Sequence, residues 1–564
     1  MKSLLLSCAV LCVFVACGAG VSDDLLVLRD RLAALEATGS AADALQFTRF
    51  AADTARIREL VAAQRPDGSW PDVDYAADGG SVWSPSRHLS DHALYLARAA
   101  FASGDASLRA AVVKALDRWA ANPPQCANWW WNEIGAPQDF ALAALLVDAA
   151  LDDAHRARYA DYLKVSKIGM TGQNRVWLSR IVLMRAVLTR DEALADEAVS
   201  AIHDEVRLQE KEGIMDDWSY RLHGRQMQFG NYGASFILNM SRLANAFAGT
   251  RWAFPREKLD LLGNLEEQGF RWTLFKGRMD VSALGRQLAP GVQRRKASAV
   301  TAALGEFAGT GWKFPSEPPS GFRYFPKSAY AVWRDRDRWM ASVKMHTHDI
   351  LETETWVNGE NTFGGHLADG ALFVYADGSE YEDVFPLWGN WRLLPGVTTY
   401  RDLPPVDRGG YVDWPGANEV SDIIASEEGD GAALDFTLKR DGLEVRKHWR
   451  FAPRRIDCSG EILSATNGAS RVVTCVEHAR AAANAEVLGY ADGCLRVRNG
   501  AFLYEVFAPE DSLRAVIETR KGSWKGICPA VADREDTGRV LLIEIDHGFS
   551  PAAATYRYRV SIFQ

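Results

Sequence analysis

Pro315-Ser316-Glu317-Pro318-Pro319-Ser320-Gly321-Phe322-Arg323-Tyr324-Phe325-Pro326 divides the chain into two halves that read differently. Its prolines lack the N–H that a helix or sheet interior uses, so the surrounding residues 313–327 read as a linker. On the N-terminal side, residues 23–312 read as helix after helix. Segments such as 91–100 and 141–150 are rich in Ala and Leu and place apolar residues at helical spacing. Ser103-Gly104-Asp105 and Asn122-Pro123-Pro124 punctuate them. There is no strict repeat, and steady alternation of helix and short connection suits a helical-hairpin array or toroid better than a compact bundle. On the C-terminal side, residues 328–564 hold strand-like runs at 329–333, 371–375, 540–545 and 556–562. Turns such as Ala376-Asp377-Gly378 and Arg440-Asp441-Gly442 separate them, which predicts stacked antiparallel sheets.

A length of 564 residues fits this division, because one core seldom organises so long a chain. Apolar residues make up 48% and charged residues 24%, which excludes extensive disorder. There are 19 tryptophans, several of them clustered, and exposed Trp is a common platform for sugar rings. The net charge of −9 gives no general field for a polyanion, and no nucleic acid is expected as a partner. Arg221, Arg225 and the run Gln293-Arg294-Arg295-Lys296 could still make a basic cleft on an acidic body.

Residues 1–22 begin Met1-Lys2, continue through an apolar run from Leu4 to Ala16 and end in small residues before Asp23-Asp24, the pattern of a secretory signal. Phe14-Val15-Ala16-Cys17 resembles a lipoprotein box that would anchor lipid at Cys17, whereas Gly18-Ala19-Gly20 suits ordinary signal peptidase. A secreted, periplasmic or outer-membrane-anchored bacterial protein is expected, with no membrane span and as a monomer. Cys8, Cys12 and Cys17 lie in the signal region. Cys126, Cys458, Cys475, Cys494 and Cys528 show no C-x-x-C spacing, so a zinc site has no support. A disulfide among the last four competes with buried free thiols. His346 and His348, two apart on an expected strand, lack nearby partner ligands, and no metal or cofactor is expected.

Four polar and aromatic segments interrupt the helical half. They are Asn128-Trp129-Trp130-Trp131-Asn132-Glu133-Ile134-Gly135, Thr171-Gly172-Gln173-Asn174-Arg175, Tyr220-Arg221-Leu222-His223-Gly224 through Gly230-Asn231-Tyr232-Gly233, and Leu284-Gly285-Arg286. Three adjacent Trp cannot all point inward from one helix, so at least one is expected at the surface. Gly230 and Gly233 would let backbone approach a bulky substrate.

The set, in this order, resembles the polysaccharide lyase family that contains hyaluronan, chondroitin AC and xanthan lyases (family 8). Asn358-Gly359-Glu360-Asn361, Leu394-Pro395-Gly396-Val397-Thr398-Thr399, and Asp546-His547-Gly548 before Tyr556-Arg557-Tyr558 resemble the same family in the second half. The resemblance covers roughly residues 80–560. It implies an incomplete α/α toroid followed by an antiparallel β-sandwich, and cleavage of an acidic, uronate-containing polysaccharide by β-elimination.

That chemistry needs a carboxylate neutralised before the neighbouring C5 proton can leave, because its removal adds charge to the same group. The resemblance places Asn174 against the carboxylate with His223 beside it, and makes Tyr232 the proton shuttle. A free phenol ionises near pH 10, and Arg286 is the cation expected to lower that value. His223 is the rival base. Trp129 and Trp130 are expected to stack on sugar, with Asn128, Arg175, Glu360 and Asn361 also binding substrate. Two positions depart from the family pattern. Pro290 stands where a second arginine is common, and the family's glutamate falls on Thr355, with Glu352 and Glu354 close by. Two other classes stay in play: a toroidal glycoside hydrolase using Glu133 with Asp216 or Asp217, and a glycan-binding protein without activity.

Overall fold

A computed structural model describes residues 22–39, 50–79, 82–404, 416–528 and 533–563. The expected signal segment, with Cys8, Cys12 and Cys17, lies outside the described residues apart from Ser22, which opens a helix.

The helical half forms a curved double layer. Leu94–Ser103, Ala136–Leu146, Gly172–Thr189 and Ala234–Phe247 pack in succession, and Val292–Ala308 follows on the last of them. Ala106–Ala121, Asp153–Tyr162, Glu192–Asp204 and Arg256–Asn264 each back onto that row. The first helix, Ser22–Ala37, touches four of the inner helices and so fills the middle of the arc. It carries Glu36 into the interior, where Arg180 and Arg242 answer its carboxylate. This is the expected incomplete toroid, centred on its own N-terminal helix.

Short hairpins depart from the all-helix reading. Gly213–Ile214, Tyr220–Leu222 and Gln226–Met227 form one small antiparallel sheet, and Leu274–Phe275 pairs with Arg278–Met279. These segments are too short to show a period of two, so the sequence hides them inside helical surroundings.

The second half is antiparallel throughout its named sheets. Ser320–Phe325, Tyr330–Asp335, Trp339–Lys344 and Ala371–Tyr375 make the sheet that abuts the toroid. Its first strand lies inside the stretch read as linker. Pro319 and Pro326 bracket it, and it occupies a sheet edge, where a missing N–H is tolerated. An eight-stranded sheet runs from Ile423–Glu428 to Glu486–Ala491, and a four-stranded sheet holds Thr398–Tyr400, Arg471–Arg480, Glu535–Phe549 and Leu513–Ser523. The 394–399, 546–548 and 556–558 signatures meet in this interior. Thr398 Oγ1 lies 3.0 Å from the Tyr556 hydroxyl and 2.9 Å from Thr474 Oγ1, which in turn faces His547 Nε2 at 2.9 Å. They hold sheets together and lie away from the polar segments of the toroid.

The two halves are bolted to each other. Buried Asp280 accepts from the Tyr330 hydroxyl at 2.6 Å and the Tyr375 hydroxyl at 2.7 Å. Asp217 accepts from the Lys327 backbone N–H at 2.7 Å, and Glu382 takes Arg278 and Arg294. Cys126, Cys458, Cys475, Cys494 and Cys528 are all free thiols, so the disulfide alternative does not arise among them. His346 is buried against Asp369 at 2.9 Å whereas His348 is exposed. The strand ends at Lys344, so neither histidine lies on it as expected. No group of metal-ligating side chains occurs among the described residues, nor any helix long and apolar enough to cross a membrane.

Candidate active site

The site forms where three polar segments of the toroid meet one loop of the β half. His223 sits on the turn between Tyr220–Leu222 and Gln226–Met227 at φ 56°, a left-handed conformation uncommon for histidine. Glu212 accepts from the Gly224 N–H at 2.6 Å and from Thr171 Oγ1 at 2.6 Å, which ties this turn to the start of the helix bearing Asn174. Tyr232 lies in a wide π-turn, Phe229–Gly233, that opens into Ala234–Phe247; such turns recur at functional sites. Gly285, at φ 72°, turns the chain so that Arg286 enters the same space.

Gly230 and Gly233 serve a different purpose from the one expected. A Cβ on Gly230 would stand 2.4 Å from the Ala283 carbonyl oxygen and 2.7 Å from Leu284 Cα; one on Gly233 would stand 2.8 Å from the Gln228 carbonyl oxygen. The backbone that these glycines admit is the protein's own, and the close approach brings the Tyr232 turn against the Arg286 turn.

Arg286 is the hub. Its Nη1 donates to Glu354 Oε2 at 2.6 Å, its Nε to Glu360 Oε2 at 2.8 Å, and its Nη2 to the Tyr232 hydroxyl at 3.4 Å. The other Glu354 oxygen lies 2.5 Å from His223 Nδ1, and Gln228 Nε2 donates to Glu354 Oε2 at 3.0 Å. The His223 ring meets the Tyr232 ring edge-on, centroids 4.9 Å apart. Burial raises the Glu354 carboxyl, but Arg286 and His223 outweigh it and hold its pKa at about 2. Its charge fixes the His223 ring, with Nδ1 as a donor toward the carboxylate.

Tyr232 behaves otherwise than the sequence suggests. Burial raises its pKa above the ordinary value of a phenol and outweighs Arg286, while Glu354 and Glu360 add to the rise. Arg286 divides its charge among two carboxylates and the phenol, so in the free protein Tyr232 is a neutral phenol.

Aromatic rings line one approach. Trp177 lies 6.0 Å from Tyr232, Trp130 lies 5.5 Å from Trp177, and Trp131 lies 5.0 Å from Trp130. Trp129 is the exposed member of the run at 38%. Asn128 Oδ1 accepts from the Trp130 N–H at 3.1 Å and so shapes this patch from within. Asn174 stands three residues before Trp177 and thus on the same helical face; its buried Oδ1 meets no donor among the described residues. Arg175 turns elsewhere, 3.6 Å from Glu205 and 3.7 Å from Asp204. Glu360 and Asn361 also differ from their expected role. Glu360 is taken up by Arg286, and fully buried Asn361 donates to the Glu354 carbonyl oxygen at 2.9 Å. Both hold the site together from behind.

Of the acids proposed for hydrolysis, Asp217 caps Ser219 and Lys327, and Asp216 lies 3.6 Å from Lys327. Glu354, Gln228 and Trp177 are the groups that sequence reasoning underweighted. Trp177 had a signal, its spacing from Asn174. Glu354 had only its place beside the family's glutamate position, because it meets His223 across 131 residues.

Two family models match, the N-terminal alpha-helical domain of polysaccharide lyase family 8 over residues 47–309 and its super-sandwich domain over residues 320–562. The chain belongs to polysaccharide lyase family 8. Its relatives in this family are carbon–oxygen lyases acting on polysaccharides. The chain is 28% identical to a chondroitinase-AC of Pedobacter heparinus over 88% of its own length and 75% of that protein. It is 26% identical to a hyaluronate lyase of Thermasporomyces composti, over 96% of its length and 79% of that protein. A xanthan lyase of a Bacillus species is 25% identical, over 96% and 67%. Among solved structures, a chondroitinase AC lyase studied with oligosaccharides shares the fold, with TM-score 0.83, 24% identity and coverage of 96% of this chain and 83% of that one. The Paenibacillus xanthan lyase shares it with TM-score 0.73 and 18% identity, over 96% and 60%.

Proposed function

We propose that this protein cleaves a uronate-containing acidic polysaccharide, of the hyaluronan or chondroitin kind, by β-elimination with Tyr232 as proton shuttle. The observation that carries the reading is the convergence of Tyr232, His223 and Arg286 on one point, with Glu354 bonded to both His223 and Arg286. Asn174, on the helical face it shares with Trp177, is assigned to the substrate carboxyl, to which its Nδ2 would donate.

In this reaction the phenolate of Tyr232 takes the C5 proton. The C5–H electrons become the C4–C5 double bond, the C4–O bond breaks, and the phenol returns its proton to the leaving oxygen. A basic phenolate suits a weakly acidic C–H, but burial makes that phenolate scarce at neutral pH. Asn174 and His223 quiet the carboxylate, and Arg286 supports the phenolate as charge moves off it. The steps use only this chain's side chains and the substrate. Relatives named for chondroitin, hyaluronate and xanthan support the substrate class without choosing within it.

The test is ultraviolet absorbance on a panel of uronate polysaccharides, because the new double bond is conjugated with the carboxylate. Products with such absorbance, confirmed by mass spectrometry to lack added water, are expected. Water-adding cleavage, or no cleavage of any member by folded protein, overturns the reading.

A further inference from the structure

Among the described tryptophans only two are exposed, Trp129 at 38% and Trp356 at 39%, and they come from opposite halves of the chain. Trp129 adjoins Trp130 in sequence, and Trp130 belongs to the ring series Trp131, Trp130, Trp177 that ends on Tyr232. Trp356 lies two residues after Glu354 and four before Glu360, the carboxylates that grip Arg286 from the two ends of one loop. The loop is pinned shut at its base, where the Trp356 N–H donates to the Glu360 carbonyl at 2.9 Å and Asn361 holds the Glu354 carbonyl. Trp356 therefore rides on a rigid projection at the rim of the site.

Its identity is not explained by backbone or by packing. Trp356 has φ 64°, in a loop where Asn358 and Gly359 are also left-handed at 57° and 72°. Asn and Gly suit that conformation, whereas a bulky side chain is strained there. Burial offsets that strain only in part, since 39% of the residue stays open to solvent. A large apolar ring held in an unfavourable conformation beside a reactive centre is the pattern of a ligand contact.

We propose that Trp356 is a sugar-stacking platform on the β side of the cleft, so that the bound acidic polymer lies between an indole from each half of the chain. This rests on the lyase reading for its ligand, a pyranose ring of the polymer, and adds a contact that the segments singled out in the sequence do not include. The second platform also accounts for how an acidic protein retains an acidic chain: ring stacking adds affinity where net charge offers none.

The test compares Trp356→Gly, Trp356→Ala and Trp356→Phe with the unmutated protein in turnover, in thermal unfolding and in retardation by polysaccharide-containing gels. Gel retardation uses the Tyr232→Phe background, so that the polymer stays intact. About a tenfold rise in KM and a matching loss of retardation are expected for Gly and Ala, with kcat changed less and Phe restoring most of the affinity. Trp356→Gly should unfold at the same temperature or higher, since Gly relieves the strained φ. That opposition of signs separates a contact from a structural prop. Unchanged KM and retardation in Trp356→Gly would overturn the platform while leaving the lyase reading intact. Retardation that depends on Trp356 in protein that eliminates no polymer would sink the lyase reading and keep the platform. Absence of both cleavage and retardation across the panel overturns the two together.

Discussion

Arg286 Nη1 donates to Glu354 Oε2 over 2.6 Å, joining the helical half to the β half at the point where Tyr232 and His223 meet. Both partners are almost wholly inaccessible, at 5% and 1%. Removing Glu354 leaves buried Arg286 with Glu360 as its remaining carboxylate and takes away the acceptor that holds His223 Nδ1. Glu354→Ala is therefore expected to destabilise the fold by about 3–5 kcal/mol. It should also release the His223 ring and Arg286, so kcat should fall further than instability explains. Denaturant unfolding beside turnover at low temperature checks both. A stable Glu354→Ala protein with full turnover contradicts the assignment.

Tyr232→Phe separates chemistry from architecture. The hydroxyl makes one long contact, 3.4 Å to Arg286, while the ring is packed by Trp177 and His223. Its loss should change stability by less than about 1 kcal/mol. Turnover should drop by roughly 10³-fold or more, as expected when proton transfer at both ends of the reaction is lost. A hydrolase relying on carboxylates would largely survive the change, so ultraviolet assays on the purified variant decide between the classes.

The pH dependence follows from the direction of the Tyr232 shift. Burial raises its pKa above that of a free phenol, so the base form grows with pH throughout the working range. The rate constant for elimination should rise about tenfold per pH unit below the phenol pKa, until another step limits. Arg286→Lys removes the planar contact to the phenol and should shift this rise to higher pH. A profile flat from neutrality upward would remove Tyr232 from the base role.

Stability should fall in acid as well, through Glu354. Glu354 titrates at about 2 in the fold against about 4.5 for an ordinary glutamate. A depressed carboxylate pKa stabilises above the unfolded value and ceases to stabilise as pH falls through the folded one. The contribution, on the order of 3 kcal/mol, should be complete above pH ~5 and disappear between pH ~4.5 and ~2. Chemical denaturation of unmutated protein and Glu354→Gln should converge across that window.

Much of this organisation was legible in the sequence because it is periodic or local. Helical spacing before residue 312 and short alternating runs after 328 give the two halves, and Thr171–Arg175, His223, Tyr232 and Leu284–Arg286 do converge in part: Tyr232, His223 and Arg286 meet, Asn174 shares their wall, and Arg175 does not. What was not legible arises from long-range partners. The strand at Ser320–Phe325 looks like linker because it is an edge bracketed by prolines. Arg286 looks like a cation devoted to Tyr232 until Glu354 and Glu360 arrive from a distant loop and take most of its charge. Thr355 looks like the family position, yet the left-handed turn at Trp356 and Asn358 leaves Glu354 facing inward in its place.

The glycine that sets the distance between Tyr232 and Arg286 offers a final, steric test. A Cβ at Gly230 would lie 2.4 Å from the Ala283 carbonyl oxygen and 2.7 Å from both Leu284 Cα and Met279 Sδ. Two of those neighbours are backbone and cannot swing aside, so Gly230→Ala must push the Phe229–Gly233 turn away from the segment carrying Arg286. Overpacking of this kind costs about 1–3 kcal/mol. A displacement of a few tenths of an ångström would also lengthen a phenol contact already at 3.4 Å, so kcat should fall at least tenfold while KM moves little. Gly305→Ala is the control: it lies in the Val292–Ala308 helix with nothing within 4 Å of a new Cβ. There Ala should add about 0.5–1 kcal/mol of stability with activity unchanged. If Gly230→Ala retains full kcat, the close approach of the two turns does not govern the reaction.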